Sequence, residues 1–318
     1  MVILFSKNTS DNTILSIEEI FNFLNFKNYI KLSQEDFVNE KFYFDLNNNE
    51  LYIRDLKIDI NEVSCLFMWK WSSKVKIHLE EFYSEHAQNE VQIMYKNLLD
   101  IFPKEIWFNS YDKLIISKYN QLIEAKKASL TIPQTFLINN FEDLNKIQKK
   151  SSNLITKGFE TYLFKDDENI FINYTCDVNS IKTKAVGKFL PSLVQEKIEK
   201  KYEIRVIFLE GVCYSAAILS QDSNKTKTDF RNYDYENPNN ILNYQLPKEI
   251  EHNISRFMNN IGLTFGSIDI IKSLDNKYYF LEVNPTGQFG LISSSCNYNI
   301  NFMLANSIIK RHEKRKSK

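Results

Sequence analysis

The stretch Gly266-Ser-Ile-Asp-Ile-Ile-Lys-Ser-Leu-Asp-Asn-Lys-Tyr-Tyr-Phe-Leu-Glu-Val-Asn-Pro-Thr-Gly-Gln-Phe-Gly290 decides how the rest of the chain is read. It predicts two strands, Ser267 to Lys272 and Tyr278 to Val283, joined by a tight Asp275-Asn276 turn. Asp269 lies within the first strand. Glu282 and Asn284 stand two apart at the end of the second, so both project to one side of the pleat. Hard cations such as Mg²⁺ take carboxylate and amide oxygens and keep substrate phosphates as further ligands, so the trio suits a metal-nucleotide site. The competing reading is an amphipathic hairpin whose acidic side chains face water. Asp269 weighs against it, because Ile268, Ile270 and Ile271 surround it and an unpaired carboxylate is costly to bury there.

With 318 residues, 43% hydrophobic and 14% aromatic, the chain can bury a sizeable core and divide into two or three subdomains. Forty basic and forty acidic residues cancel, which gives no electrostatic argument for a nucleic-acid or membrane partner. The start, Met1-Val-Ile-Leu-Phe-Ser-Lys-Asn, has too short an apolar run for a signal peptide, and no stretch reaches the ~18 to 20 apolar residues of a membrane span. A cytoplasmic location is expected. Cys65, Cys176, Cys213 and Cys296 are far apart, without the close pairs of a zinc site or the density of a disulfide scaffold. Cys296, in the Ser-rich loop after the hairpin, is the one kept as a candidate for another role. Among only seven glycines there is no Gly-x-Gly-x-x-Gly or Walker-type loop, so lysines and strand backbones would have to hold any nucleotide.

Upstream, the pattern predicts a strand at Val2 to Phe5, a helix from Ile14 to Leu24, strands at Tyr29 to Leu32, Phe42 to Phe44 and Leu51 to Ile53, and an apolar strand from Ser64 to Trp71. A long helix from about Lys76 to Leu99 follows. Met68-Trp-Lys-Trp71 reads either as a peptide-contacting strand end or as a strand end snorkelling into water. A helix from about Lys113 to Ala128 runs into Leu130-Thr-Ile-Pro133, where proline blocks further helix. Asn153 to Lys157 is a strand ending in lysine. Lys201 to Ile207 pairs with Val212 to Leu219 across the Glu210-Gly211 turn, placing Glu203 and Arg205 on one face. These two either pair with each other on the surface or leave Arg205 to hold phosphate or carboxylate with its planar fork. The last helix, Asn299 to about Lys310, leads into a basic tail read as solvated.

Taken together, the acidic residue on one strand and Leu281-Glu-Val-Asn-Pro285 closing the next resemble the metal-binding end of the ATP-grasp ligases. Thr286-Gly-Gln-Phe289 and Asp229-Phe-Arg-Asn-Tyr233 are similar to one branch of them, the maturases of microviridin-type peptides (graspetides), nearest to those of the grasp-with-spasm type. The resemblance covers residues 110 to 295 well and the first hundred weakly. It implies an α+β/α/β fold: a pre-grasp α/β domain over 1–110, a central subdomain with a lid over 111–193, and a C-terminal subdomain carrying the metal site over 194–318. It implies ATP and Mg²⁺ as cofactors, with Asp269, Glu282 and Asn284 as metal ligands. Lys118 and Lys157 would reach the phosphates. Gln195, Lys197 and Ile198, in the hinge-like Ser192 to Ile198 segment, would hold adenine, with Glu196 on the ribose and Glu203 among the nucleotide-binding residues. Arg205 and Arg231 would be catalytic, gripping the transferring phosphoryl group and the acceptor carboxylate. The polar loop from Asp222 to Asp234 and the Asp177 to Lys184 portion are expected to be mobile.

The activity so implied joins Asp or Glu side chains of a ribosomal precursor peptide, leader plus core, to Thr/Ser hydroxyls or Lys amines through an acyl phosphate, with no nucleic-acid or membrane partner and a homodimer left open. Two rivals stand beside it: an amino-acid ligase of the glutamate-adding type, and a nucleotide-binding regulatory protein that has lost turnover.

Overall fold

The computed structural model describes residues 1–8, 10–71, 81–151, 153–159, 163–165, 170–172, 175–180, 187–221, 236 and 238–317. Its contacts divide the chain into two units. One is built from Met1–Ile115, Gly262–Gly266 and Pro285–Lys318, the other from Ile116–Ile261 and Ser267–Asn284.

In the first unit, β1 (Val2–Ser6) lies between β2 (Tyr29–Ser33) and β6 (Cys65–Trp69), parallel to both. Every residue of β1 and β6 is buried, as expected where a parallel sheet is covered on both faces. The helix α1 (Asn12–Phe23) starts at Asp11, whose carboxylate accepts the Thr13 amide at 2.8 Å, and buries Ile14, Ile17 and Phe21 at helical spacing. It packs on α8 (Ile300–Lys316), which also touches β6. Ile3, Phe5, Leu66 and Met68 share a core with Tyr95, Leu98 and Leu99 of α3 (Glu81–Asp100) and with Leu51, Ile53 and Ile58 of an antiparallel sheet, β3 (Phe42–Asp45), β4 (Glu50–Ile53) and β5 (Leu56–Asp59). Two short helices, α2 (Asp36–Asn39) and α7 (Gly290–Ser295), complete the unit.

Within this unit, buried Asn109 holds the start of the strand that later carries Asp269. Its Oδ1 accepts the amides of Thr264 (2.9 Å) and Phe265 (3.2 Å), and its Nδ2 donates to the Phe265 carbonyl at 2.8 Å. An amide side chain satisfying three backbone groups at once fixes the strand's entry, since those groups would otherwise be buried unpaired.

In the second unit, α4 (Lys118–Lys127) is followed by β7 (Thr135–Asn140), α5 (Phe141–Lys150), β8 (Leu154–Lys157), β9 (Leu163–Lys165), β10 (Ile170–Ile172), β11 (Cys176–Asp177) and β12 (Lys188–Glu196). A four-stranded sheet runs β11-β8-β12-β7, and β9 pairs with β10 antiparallel. Leu144 and Ile147 of α5 pack against Leu154, Val178 and Val194. The five-stranded sheet has the order β15-β14-β13-β16-β17, formed by β13 (Lys200–Leu209), β14 (Val212–Leu219), β15 (Asn240–Tyr244), β16 (Phe265–Ser273) and β17 (Tyr278–Asn284). The β13-β14 turn places Glu210 at φ 47° and Gly211 at φ 93°, the two left-handed residues that a two-residue hairpin loop requires. Helix α4 packs on both α6 (Lys248–Ile261) and β17.

Several expectations are corrected. The helix expected from Lys113 begins only at Lys118, because Tyr111–Lys113 forms a separate 3₁₀ turn. The last helix continues through the basic tail to Lys316, two turns beyond Lys310, and ends on cations that suit a helix C-terminus. Trp69 is core, 1% exposed and packed on Phe67, Phe265 and Phe289, so of the aromatic-basic strand end it offers no surface for a peptide. The Lys76 to Glu80 part of the expected long helix lies outside the described residues. Among the described residues no helix is long and apolar enough to cross a membrane.

Candidate functional site

The hairpin β16-β17 brings the three expected metal ligands together. Asp269 sits directly opposite Glu282, and Ser267 directly opposite Asn284. The register then shifts, with Ile270 opposite Phe280. That bulge decides the facing of the strand: Phe280 and Val283, three apart, are both buried, which strict alternation would forbid. Phe280 meets the Phe257 ring of α6 at 4.7 Å, and Glu282 and Asn284 are thereby left on the opposite face from Val283.

Three cations converge on the two carboxylates. Lys118, the first residue of α4, places Nζ 3.5 Å from Glu282 Oε2 and donates to the Gly158 carbonyl at 3.1 Å. Lys157, the last residue of β8, stands 3.9 Å from the same oxygen. Arg205 on β13 meets Asp269 with its planar fork, Nε toward Oδ1 and Nη2 at 3.2 Å from Oδ2. Asp269, half-buried rather than buried among its isoleucines, thus has its counter-charge from an arginine of the neighbouring strand β13. Glu203 does not pair with Arg205. It is 8% exposed and instead accepts from Lys200 and from Ser220 Oγ at 3.0 Å, which overturns the alternative of a surface Glu203-Arg205 pair. Lysine contacts of 3.5 and 3.9 Å to Glu282 are longer than direct hydrogen bonds, so the carboxylate itself holds neither ammonium group tightly.

Helix α4 is locked to the hairpin by a residue that the motif search passes over. Gln121 is 5% exposed; its Oε1 accepts the Val283 amide at 2.8 Å and its Nε2 donates to the Ile116 carbonyl at 3.1 Å. Its signal in the sequence is a polar residue one turn after Lys118, on the face that also carries buried Leu122 and Ala125.

The hinge-like segment is the end of β12. Gln195 is 1% exposed and its carboxamide donates to Thr135 Oγ1 at 2.8 Å, so that side chain is spent within the sheet. The Glu196 amide is given to the Gln134 carbonyl (2.8 Å) and the Lys197 amide to the Asn153 carbonyl (2.9 Å). Glu196, Lys197 and Ile198 line a hollow of about 440 Å³ together with Asn153, Glu199, Ser273, Leu274, Asp275 and Tyr279, among others. Gln195 is not among its lining residues. At its rim, hydrogen bonds from Lys277 and Ser273 hold the Asp275 carboxyl down at about 2. Lys197 itself reaches Asp177 at 3.1 Å.

Arg231, the Asp229-Phe-Arg-Asn-Tyr233 segment and most of the expected lid lie outside the described residues. Among the described residues no group of three or more His, Cys, Asp and Glu side chains could hold a metal by itself. The hairpin offers two carboxylates and one carboxamide. Such an all-oxygen set fits Mg²⁺, which is held by one or two carboxylates and completes its octahedron with phosphates and water.

Two sheets, one carrying the paired acidic strands β16 and β17 and the other containing β8, which ends in Lys157, are the ATP-grasp fold. Solved structures agree over nearly the whole chain. The macrocyclase MdnC from Microcystis aeruginosa, solved with precursor peptide MdnA, matches with a TM-score of 0.78 at 22% identity, covering 98% of this chain and 100% of that one. A Chryseobacterium gregarium RiPP-associated ATP-grasp ligase, solved with ADP and a leader and core peptide, matches with a TM-score of 0.81 at 23% identity over 98% and 97%. The ATP-grasp ligase PsnB, solved with minimal precursor, Mg and ADP, matches with a TM-score of 0.76 at 14% identity over 98% and 97%. No protein-family model matches the sequence, and no curated protein matches it. The expected α/β fold of the ATP-grasp type is therefore the one observed.

Proposed function

We propose that this chain is an ATP-dependent peptide maturase that activates Asp or Glu side chains of a ribosomal precursor peptide and captures them with Thr/Ser hydroxyls or, in the amide variant, Lys amines. The observation that carries the reading is the convergence of Lys118, Lys157 and Arg205 on Glu282 and Asp269. Three cations about two carboxylates leave the cluster one positive charge in excess, which suits an arriving polyphosphate. The solved structures of the same fold support it further, all three holding a peptide, two of them ADP and one of those Mg as well.

In this reading Asp269, Glu282 and Asn284 would hold Mg²⁺, which when bound offsets charge on the phosphates. The lysines orient the nucleotide, and Arg205 offers its fork to the phosphoryl group and the substrate carboxylate. A carboxylate oxygen of the peptide bonds to the γ-phosphorus as the bond to ADP breaks. The peptide hydroxyl then bonds to the acyl carbon, its proton leaves to solvent, and inorganic phosphate departs. Adenine is assigned to Gln195, Lys197 and Ile198 and ribose to Glu196. Tyr279, at the hollow, and Glu282, at the cation cluster, are three residues apart on β17, roughly 10 Å at strand rise, so base and phosphates can lie along one strand. Glu203 is kept among the nucleotide-binding residues, and Arg231 is assigned to the acceptor side. The division at 110 and 193 and a cytoplasmic location belong to the same proposal, with a homodimer left open.

Incubation with ATP, Mg²⁺ and the peptide encoded beside the gene should give products lighter by one water per ring, with mild alkali restoring the mass where the links are esters. A mass gain of whole amino-acid residues would instead support the glutamate-adding reading, and ATP binding without any mass change would support the regulatory one.

A further inference from the structure

The face of the hairpin that carries Asp269, Glu282 and Asn284 carries a fourth oxygen. Ser267 precedes Asp269 by two residues on β16 and lies directly opposite Asn284 on β17, with unbroken register between the two pairs. Alternation therefore puts its hydroxyl on the ligand face, while Ile268 between them is fully buried on the other. Ser267 is 2% exposed, and its Oγ has no hydrogen-bond partner among the described residues. Buried hydroxyls are nearly always bonded, because an unmade hydrogen bond in a water-poor site costs its full desolvation. A serine kept for size alone would be better replaced by alanine.

We infer that the Ser267 hydroxyl is a hydrogen-bonding member of the nucleotide site whose partner appears only when the metal-phosphate group is bound. The partner is an oxygen of the loaded site: the Asp269 or Asn284 side chain once turned toward the ion, or a phosphate oxygen that arrives with the nucleotide. Redirecting Arg205 and the lysines away from the two carboxylates frees those side chains to turn. This rests on the reading of the cluster as a nucleotide site.

The test is Ser267→Ala in the full chain, read by calorimetric titration with ADP, with and without Mg²⁺, and by thermal unfolding of the ligand-free protein. The expected result is an unfolding midpoint unchanged or raised without ligand, because an unsatisfied polar atom has been removed, together with Mg-ADP affinity about five- to tenfold weaker, the usual size for one lost hydrogen bond. A loss confined to the Mg²⁺ titration assigns the partner to the metal ligands; a loss in both assigns it to phosphate. Unaltered affinity in both titrations overturns the inference. So does a lowered midpoint in the ligand-free variant, which would mean that the hydroxyl is satisfied there by internal water. If the parent protein itself fails to bind Mg-ADP, the functional proposal fails and this inference with it.

Discussion

At Asp269 and Glu282 each carboxylate has a defined counter-cation, and the two differ in how they hold it. Arg205 grips Asp269 through its fork, whereas Lys118 and Lys157 share one oxygen of Glu282 at longer range. The side chains concerned are 14% to 28% exposed, so solvent screens the pairs and their net worth to stability is at most about 1 kcal/mol each. Asp269→Asn and Glu282→Gln should therefore leave the fold nearly as stable as the parent while reducing peptide-dependent ATP consumption to background. Parent-level consumption in either variant would remove these residues from the metal site. Ser267 is the case where the same face carries an oxygen with no partner at all among the described residues, which is why its substitution separates binding from stability.

The elements that matter are α4 and β17, and a single side chain joins them. Lys118 can meet Glu282 only if the first turn of α4 stays against the end of β17, and Gln121, one turn on, supplies the bond that holds it there. Gln121→Leu keeps the volume but leaves the Val283 amide and the Ile116 carbonyl without their partner, at a cost of about 1–3 kcal/mol for an unsatisfied buried group. Chemical denaturation should register a loss of that size, and a variant as stable as the parent would show that the amide finds water instead. The β-bulge beside Asp269 is the other element-scale device. Without its extra residue Phe280 would share a face with Glu282, and the aromatic side chain that anchors the strand to α6 would crowd the two carboxylates.

Across the whole molecule, charges cancel, so stability against pH is set by particular buried groups rather than by net repulsion. His312 of α8 is 4% exposed, with Nδ1 2.5 Å from Ser64 Oγ, Nε2 3.5 Å from Asn28 Nδ2 and its ring edge-on to Phe26. Burial, reinforced by the Met1 ammonium and Lys316, lowers its pKa below the ordinary 6.5. The folded protein thus favours neutral histidine, and the unfolded chain binds the proton first as pH falls. Stability is full above pH 6.5 and declines as pH drops from there toward the lower folded value. The unfolding midpoint of the parent should fall more steeply below that pH than that of His312→Gln; parallel slopes would dismiss His312 as the titrating group.

Much of this was legible in the chain alone. The β16-β17 hairpin, its Asp275-Asn276 turn, the β13-β14 pair and the lysine at the end of β8 are local patterns, where alternation, turn residues and proline placement act over a few neighbours. The order of these motifs also carried the fold, because the resemblance depends on sequence order and not on contacts. Pairing was not legible. Whether Arg205 answers Glu203 or Asp269 depends on which strand β13 lies beside, and the two residues it could choose are 2 and 64 positions away. That the Gln195 carboxamide donates to Thr135, 60 positions earlier, was not legible either, since only the pairing of β12 with β7 brings the two together. Trp69 reads as a surface aromatic until two distant phenylalanines, Phe265 and Phe289, are seen to pack on it. The bulge that turns Glu282 away from Phe280 leaves no local signature either. Chain-local chemistry determined which elements form and which oxygens and cations are present; only tertiary packing decided which of them face each other, because partners for buried polar groups are chosen by long-range strand order and burial.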